Sequence, residues 1–404
     1  EWRDNIWIVI ELILVSFAIW ALSLFSYSLL RPKFLEKGFE IDNVYRLEIR
    51  SLEKNNPEYV KDIDNWEDLR TLMARIRKSP YVEVAGFSSN ALPYNFNYSG
   101  NQLNFIGKPD SIVYQGNLRM GSPEMARVLK LKSVDNTPLS KLEASLRKGN
   151  LLISNAPSYH FNGVKDVKEF IGEQVMFFDT VNSKRIGGVI ESVRRNEYEN
   201  TIGTIFMPID EQDGYFLSYA DAIAIRVKPD MGKKFEEEFY SSPDMKRMRN
   251  IYLTELTDMK KVRAANQNNS DTQVRLFSAG IGFLLIIVFL GLLGTFWFRI
   301  RQRTGEIALR KTCGATSANI FRRVISEGLI LLVVASPPAL LLDALYFRYY
   351  MNGHLDTFEM SYWESPLIAF GIATILMAMM IIIGIIFPAR RAMRIEPAIA
   401  LKEE

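Results

Sequence analysis

The segment Thr304-Gly305-Glu306-Ile307-Ala308-Leu309-Arg310-Lys311-Thr312-Cys313-Gly314-Ala315-Thr316 sets one acid, two bases, several apolar side chains and two glycines side by side. Ile307, Arg310 and Lys311 stand at i, i+3 and i+4, so a short helix there presents apolar and basic contacts on one face. Gly314 suits the C-terminal cap of that helix. Such a surface is made for contact with another protein or with lipid headgroups. Residues suited to bond-making are scarce elsewhere. His354 precedes Asp356 and Glu359, and His160 sits in Ser158-Tyr159-His160-Phe161. One imidazole with loosely spaced acids forms neither a triad nor a metal ligand set, so no catalytic residue and no metal site is assigned. Cys313 is the lone cysteine, which excludes an intrachain disulfide framework. No G-x-x-x-x-G-K-[ST] loop occurs, so nothing in the sequence cradles ATP phosphates.

The segment lies between apolar stretches that must position it. Phe277 to Phe298 carries no charged side chain and, at 1.5 Å per residue, is roughly 33 Å long, enough to cross a bilayer. Pro366 to Ala389 is free of charge up to its end; Ile6 to Leu30 carries Glu11 alone; Val324 to Phe347 carries Glu327 and Asp343. The first stretch reads as an uncleaved anchor, because its apolar core exceeds that of a secretion signal and Ser28-Leu29-Leu30-Arg31-Pro32 offers no small-x-small cleavage site. Glu11 and Glu327 fall about one turn inside the boundary, where a carboxylate can pair with a neighbouring helix. Asp343 lies near the other end of its span and is expected to be solvated. Pro337-Pro338 is expected to break backbone bonds and kink the third span.

Basic residues set the orientation. Arg299, Arg301, Arg303, Arg310, Lys311, Arg322 and Arg323 oppose Glu306 between the second and third stretches, and Arg390, Arg391, Arg394 and Lys402 follow the fourth. Both termini and the 299–323 loop are therefore expected in the cytoplasm, with residues 31–276 and the 348–365 loop outside. The net charge of +3, without basic runs interleaved by aromatics, argues against nucleic acid as a partner.

About 240 residues between the first two stretches are ample for a core of their own. Val44-Tyr45-Arg46-Leu47-Glu48-Ile49 alternates as a half-buried strand; Trp66, Leu69, Leu72, Met73 and Ile76 mark a helix; Tyr81 to Phe87 is a second strand. Ala222 to Val227, a helix through Phe235, Phe239 and Met245, and Ile251 to Leu256 repeat the pattern. The fold class is a membrane α-helical protein with a large extracytoplasmic α+β domain between its first two spans. That domain is a split β-α-β lobe (31–88 and 220–257) with an inserted, mostly β lobe (89–219). Residues 258–276 hold neither proline nor glycine and are expected to form a stalk helix entering the second span.

The loop resembles that of the MacB/FtsX-type ABC transporter permeases, E-I-x-[IL]-R-[KR]-x-x-G-A, at Glu306, Ile307, Leu309, Arg310, Lys311, Gly314 and Ala315. Glu327 fits a recurrent acidic position of that family, and Pro388-Ala389-Arg390-Arg391-Ala392 through Pro397-Ala398-Ile399-Ala400-Leu401 resembles its usual ending. The resemblance implies spans at 1–30, 277–298, 324–347 and 366–389 in a bacterial inner membrane, a coupling loop at 299–323, a tail at 390–404, and porter-like and sabre-like roles for the two outer lobes. It implies a non-catalytic permease that binds no cofactor itself. ATP and Mg are expected on a separate cytoplasmic ABC ATPase, with a permease homodimer or heterodimer, membrane lipids and a periplasmic adaptor as further partners. The implied work is export or efflux by mechanotransmission; the alternative is regulation of periplasmic cell-wall hydrolases without cargo transport, as in division-type members.

Overall fold

The computed structural model describes every residue except 1, 36, 96–98, 107, 156–166, 178, 195, 199–202, 352–363 and 395–404. His160, His354 with Asp356 and Glu359, most of the 348–365 loop and the end of the tail lie outside the described residues.

In chain order the elements are α1 (Trp2–Phe34), β1 (Val44–Ser51), α2 (Asn65–Lys78), β2 (Val82–Ser89), β3 (Gly100–Phe105), β4 (Lys108–Gly121), α3 (Met125–Val128), α4 (Leu139–Arg147) and β5 (Leu151–Ser154). Then follow β6 (Gln174–Phe177), β7 (Asp179–Ile190), β8 (Thr204–Pro208), α5 (Gly214–Leu217), β9 (Ala222–Val227), α6 (Gly232–Ser241), α7 (Pro243–Lys246), β10 (Arg247–Met248) and β11 (Ile251–Asp258). The chain continues as α8 (Met259–Gln302), α9 (Thr304–Thr312), α10 (Ser317–Met351) and α11 (Glu364–Arg394). Two compact units result: Pro32–Ser270, and Glu1–Arg31 with Asp271–Glu404.

In the Pro32–Ser270 unit the strands join in the order β10-β11-β1-β9-β2-β4-β3-β6-β7-β5-β8. The run β11-β1-β9-β2 interleaves two β-α-β pieces distant in sequence, the split arrangement. β1 is antiparallel to both its neighbours, with Leu47 opposite Ile223 on one side and Leu256 on the other. Helix α2 starts where the Asp64 side chain accepts from the Trp66 amide at 2.8 Å and ends in Arg75, Arg77 and Lys78, which complement the helix dipole. It buries Leu69, Leu72, Met73 and Ile76 against the sheet together with Phe235 and Phe239 of α6. The helix expected to run from Phe235 through Met245 is instead two, because Pro243 disfavours helical geometry at Ser242 and restarts the chain as α7. Arg226, 2 % exposed in mid-strand, donates to the carbonyls of Val128, Asp42 and Glu40 at 2.8, 2.8 and 2.9 Å, so its charge is spent on fastening backbone.

Among the described residues, four helices are long and apolar enough to cross a membrane: Ile6–Phe34, Met259–Gln302, Ser317–Tyr349 and Pro366–Arg390. On α11, Ala369, Ala373, Met377, Ile381, Ile385 and Ala389 recur every fourth residue and are all buried, an i±4 ridge against its neighbours. Gly328 of α10 lets that ridge approach: a Cβ there would lie 2.8 Å from Ile385 and 3.0 Å from Ile381. The Trp20 indole of α1 donates to the Pro366 carbonyl at 3.2 Å. Helix α10 continues through Pro337 and Pro338, as spanning helices tolerate when neighbours re-satisfy freed carbonyls. One expectation fails here. Asp343 is 1 % exposed rather than solvated, because it continues a four-residue stripe with buried Ala335, Ala339 and Phe347.

Candidate functional site

The loop segment folds as predicted from its spacing. Helix α9 occupies Thr304–Thr312, one residue after α8 ends. Its C-terminus is a Schellman motif: the Gly314 amide donates to the Lys311 carbonyl at 3.1 Å and the Ala315 amide to the Arg310 carbonyl at 3.0 Å. Gly314 takes φ +91°, a conformation that L side chains rarely adopt. Thr316 then opens α10, its carbonyl accepting from the amides of Asn319 and Ile320. The Gly-Ala pair at this offset thus has a backbone reason: it turns the chain sharply from one helix into the next.

The helix has two unlike faces. Ile307 and Ala308 are buried at 7 % and 6 % exposure, and Ala315 packs on the same core. Leu309 points the other way and is 56 % exposed. Lys311 is partly buried, and Cys313 is exposed.

Between these faces runs a chain of ion pairs. Arg303, in the junction before α9, donates from Nε to Glu306 Oε2 at 2.8 Å and from Nη1 to Glu327 Oε2 at 2.5 Å. Arg310 donates from Nη2 to Glu306 Oε1 at 2.7 Å, and Arg323 from Nε to Glu327 Oε1 at 3.2 Å. The hydrogen bonds from Arg303 outweigh partial burial and, with those from Arg310, hold the Glu306 carboxyl down at about 2. Arg303 is in turn held above the usual arginine range by Glu306, against partial burial and with Glu327 assisting. Two helices therefore meet in one charge network, α9 and the first turns of α10, with Arg303 joining them from the junction that follows α8. A cavity of about 770 Å³ opens beside it. Another acid within the spans, Glu11, accepts from Thr295 Oγ1 at 2.8 Å and ties α1 to α8.

Arg303 and Arg323 were not singled out by the sequence pattern, where they read as orientation-setting arginines. The available signal was spacing: Arg303 precedes Glu306 by three residues, and Arg323 precedes Glu327 by four, the offsets at which helical side chains meet.

A second cluster fixes the beginning of α8 within the Pro32–Ser270 unit. Glu197, nearly buried, pairs with Lys37 and with Arg263 Nη2 at 2.7 Å, and the Tyr94 hydroxyl donates to it at 3.3 Å. Burial would raise this carboxyl, but the hydrogen bonds from Lys37 and Arg263 prevail and hold it at about 2. Asn266, one helical turn on, donates to the Tyr94 carbonyl at 3.4 Å.

Residues 278–397 match the family FtsX-like permease C-terminal. The macrolide export ATP-binding/permease protein MacB of Nitrosomonas europaea is 28 % identical over 138 residues, which is 33 % of this chain and 19 % of that protein. The pyoverdine export ATP-binding/permease protein PvdT of Pseudomonas fluorescens is 28 % identical over 155 residues, 37 % of this chain and 22 % of that protein. MacB of Pasteurella multocida is 25 % identical over 225 residues, 54 % of this chain and 33 % of its own length. The chain thus spans a third or less of the length of these curated relatives. Among solved structures, the extracellular domain of the noncanonic ABC-type transporter YknZ from Gram-positive bacteria aligns with a TM-score of 0.32 at 10 % identity, covering 52 % of this chain and all of that one. Residues 278–397 thus form an FtsX-like permease C-terminal domain, and the chain is similar to MacB-type ABC export permeases over a third to about half of its length.

Proposed function

We propose that this permease couples ATP hydrolysis on a separate cytoplasmic ABC ATPase to movement of the 31–276 domain on the far side of a bacterial inner membrane, exporting a substrate. The permease itself makes and breaks no bonds; ATP and Mg are held by the partner. Two copies, or this chain and a related one, form the membrane assembly, and a periplasmic adaptor receives the outer domain.

One observation supports this reading above others: α9 buries Ile307 and Ala308, exposes Leu309, and is tied through Glu306 and Arg303 to Glu327 of α10. An ATPase pressing on the exposed face displaces a helix that the charge network does not let move alone. The excess of arginine over acid around α9 supports the inner face for this loop, since positive residues flank spans on the cytoplasmic side.

The test is reconstitution with the partner ATPase. Leu309→Asp puts a charge into the contact, and Glu306→Gln weakens the tie through Arg303 to α10. Both should lower permease-stimulated ATP hydrolysis while leaving expression and membrane insertion unchanged. Stimulation equal to that of the natural protein would remove α9 as the point of contact.

A further inference from the structure

Asp343 sits in α10 at 1 % exposure, and neither of its carboxylate oxygens has a hydrogen-bond partner among the described residues. Ala335, Ala339 and Phe347 share its stripe and are buried with it. Tyr346, three residues on, meets Phe17 of α1 edge-on with ring centroids 5.5 Å apart. Trp20 of α1 in turn donates to the Pro366 carbonyl at the head of α11, so α1, α10 and α11 come together at this level of the bundle. No counter-charge is at hand among the described residues. On α10, Glu327 lies 16 residues earlier, roughly 24 Å along the helix, and is engaged by Arg303 and Arg323; Arg348 is exposed. On α1, Glu11 accepts from Thr295 of α8, and Arg31 lies over the Tyr27 ring. Neither α8 from Phe277 to Phe298 nor α11 from Pro366 to Ala389 carries a charged side chain, and Glu364 stands five residues before Ala369, where the buried ridge of α11 begins.

We propose that Asp343 is a proton-binding site: it holds its proton while α10 is packed against its neighbours and releases it when this stretch parts and water enters. A carboxylate sealed from water, with neither a cation nor a hydrogen-bond donor, is far costlier ionised than neutral, so an acid placed in this way keeps its proton. The acids that stay ionised in this chain are built differently. Glu327 is held by Arg303 and Arg323, and Glu197 by Lys37 and Arg263. Once in water, the Asp343 carboxyl is an ordinary aspartic acid and ionises at neutral pH. Each closing of the packing therefore takes up one proton and each opening gives it back, whatever drives the movement. The ligand is the proton rather than a metal ion, because one carboxyl without further oxygen donors offers a cation no coordination shell. The inference stands apart from the coupling of ATP hydrolysis, since it rests on the packing of α10 alone.

The full chain is purified in a neutral detergent without any ATPase, and its infrared spectrum near neutral pH is compared with that of Asp343→Asn. The natural chain should show the carbonyl stretch of a protonated carboxylic acid, shifted in heavy water, and the variant should lack it. Absence of the band from the natural chain, or its persistence unchanged in the variant, overturns the assignment. Release is read from stability. With one proton bound in the packed state and lost on unfolding, the unfolding equilibrium constant of the natural chain, relative to that of Asp343→Asn, should rise about ten-fold per pH unit between about pH 5 and 7. Equal pH slopes in the two proteins overturn the link between proton and packing. If the amide variant does not fold, Asp343→Leu, which removes the acid and demands no hydrogen bond, takes its place in both measurements. Neither readout involves ATP, so failure here is distinct from failure of the coupling reading.

Discussion

Arg303 hydrogen-bonds at once to Glu306 in the loop helix and to Glu327 in the third span, 24 residues away, at 2.8 and 2.5 Å. It is the joint through which α9 is held to α10. Its removal should matter in two separable ways. Arg303→Ala leaves two carboxylates facing each other without their shared cation. Charge-assisted hydrogen bonds contribute about 1.5–3 kcal/mol each when enclosed, and partial exposure reduces the combined cost here to about 2 kcal/mol. Thermal unfolding of the purified chain in detergent should shift down accordingly, and stimulation of the ATPase should fall further than stability does. Glu306 also fixes the pH response. Its carboxyl lies below its ordinary 4.5, so its contribution is complete above 4.5 and is lost only as pH falls through about 2. The junction should therefore be insensitive to pH between 5 and 8; loss of Arg303-dependent stability within that window would contradict the ion-pair geometry.

Glu197 provides a comparable test within the α+β domain. Glu197→Gln strips Lys37 and Arg263 of their counter-charge beside the first turns of α8. Because both cations are over a third exposed and can turn to water, the cost is about 1–2 kcal/mol rather than the larger value of a sealed pair. Hydrogen exchange in residues 259–266 should speed up by about ten-fold, with the sheet amides of β1 and β9 unaffected. Uniform protection in the variant would show that the start of α8 is held by other contacts.

Asp343 is buried in α10, and neither carboxylate oxygen finds a hydrogen-bond partner among the described residues. Burying an uncompensated polar group costs about 1–3 kcal/mol by protein mutational data, so Asp343→Leu should raise the unfolding temperature of the detergent-solubilised chain. A lower unfolding temperature would mean that the carboxyl makes a stabilising contact.

Orientation can be read directly. An alkaline phosphatase fused after Ser99 should be active, and one fused after Thr316 inactive, if the arginine-rich loop faces the cytoplasm. The opposite pattern would invert the proposed direction of coupling.

Local pattern carried much of the architecture. The alternation Val44–Ile49 became β1, the apolar steps from Trp66 to Ile76 became α2, and the charge-free runs became spans, because each signal is a periodicity that a single element satisfies alone. What stayed hidden depends on partners remote in sequence. Nothing near Arg303 announces Glu327, and nothing near Ser88 announces Gly121, the residue that joins β2 to β4. Asp343 misled for another reason: its distance from the helix end suggested water, while its place in the stripe with Ala339 and Phe347 put it inside. The loop motif was legible as a short helix capped by Gly314, but its division into a buried Ile307 and an exposed Leu309 follows from packing alone.

The sheet of the α+β domain changes character between β2 and β4. On one side β2 runs beside β9 from Val82 to Ser88; on the other, β2 pairs with β4 at Ser88 with Gly121 and Ser89 with Met120, and Asn90 adds a bridge to Met120. So short a seam is a crease: fewer backbone rungs hold it than hold β2 to β9. Along that line the split β-α-β half and the inserted half are joined less by backbone than by the side chains of the one core that runs beneath both.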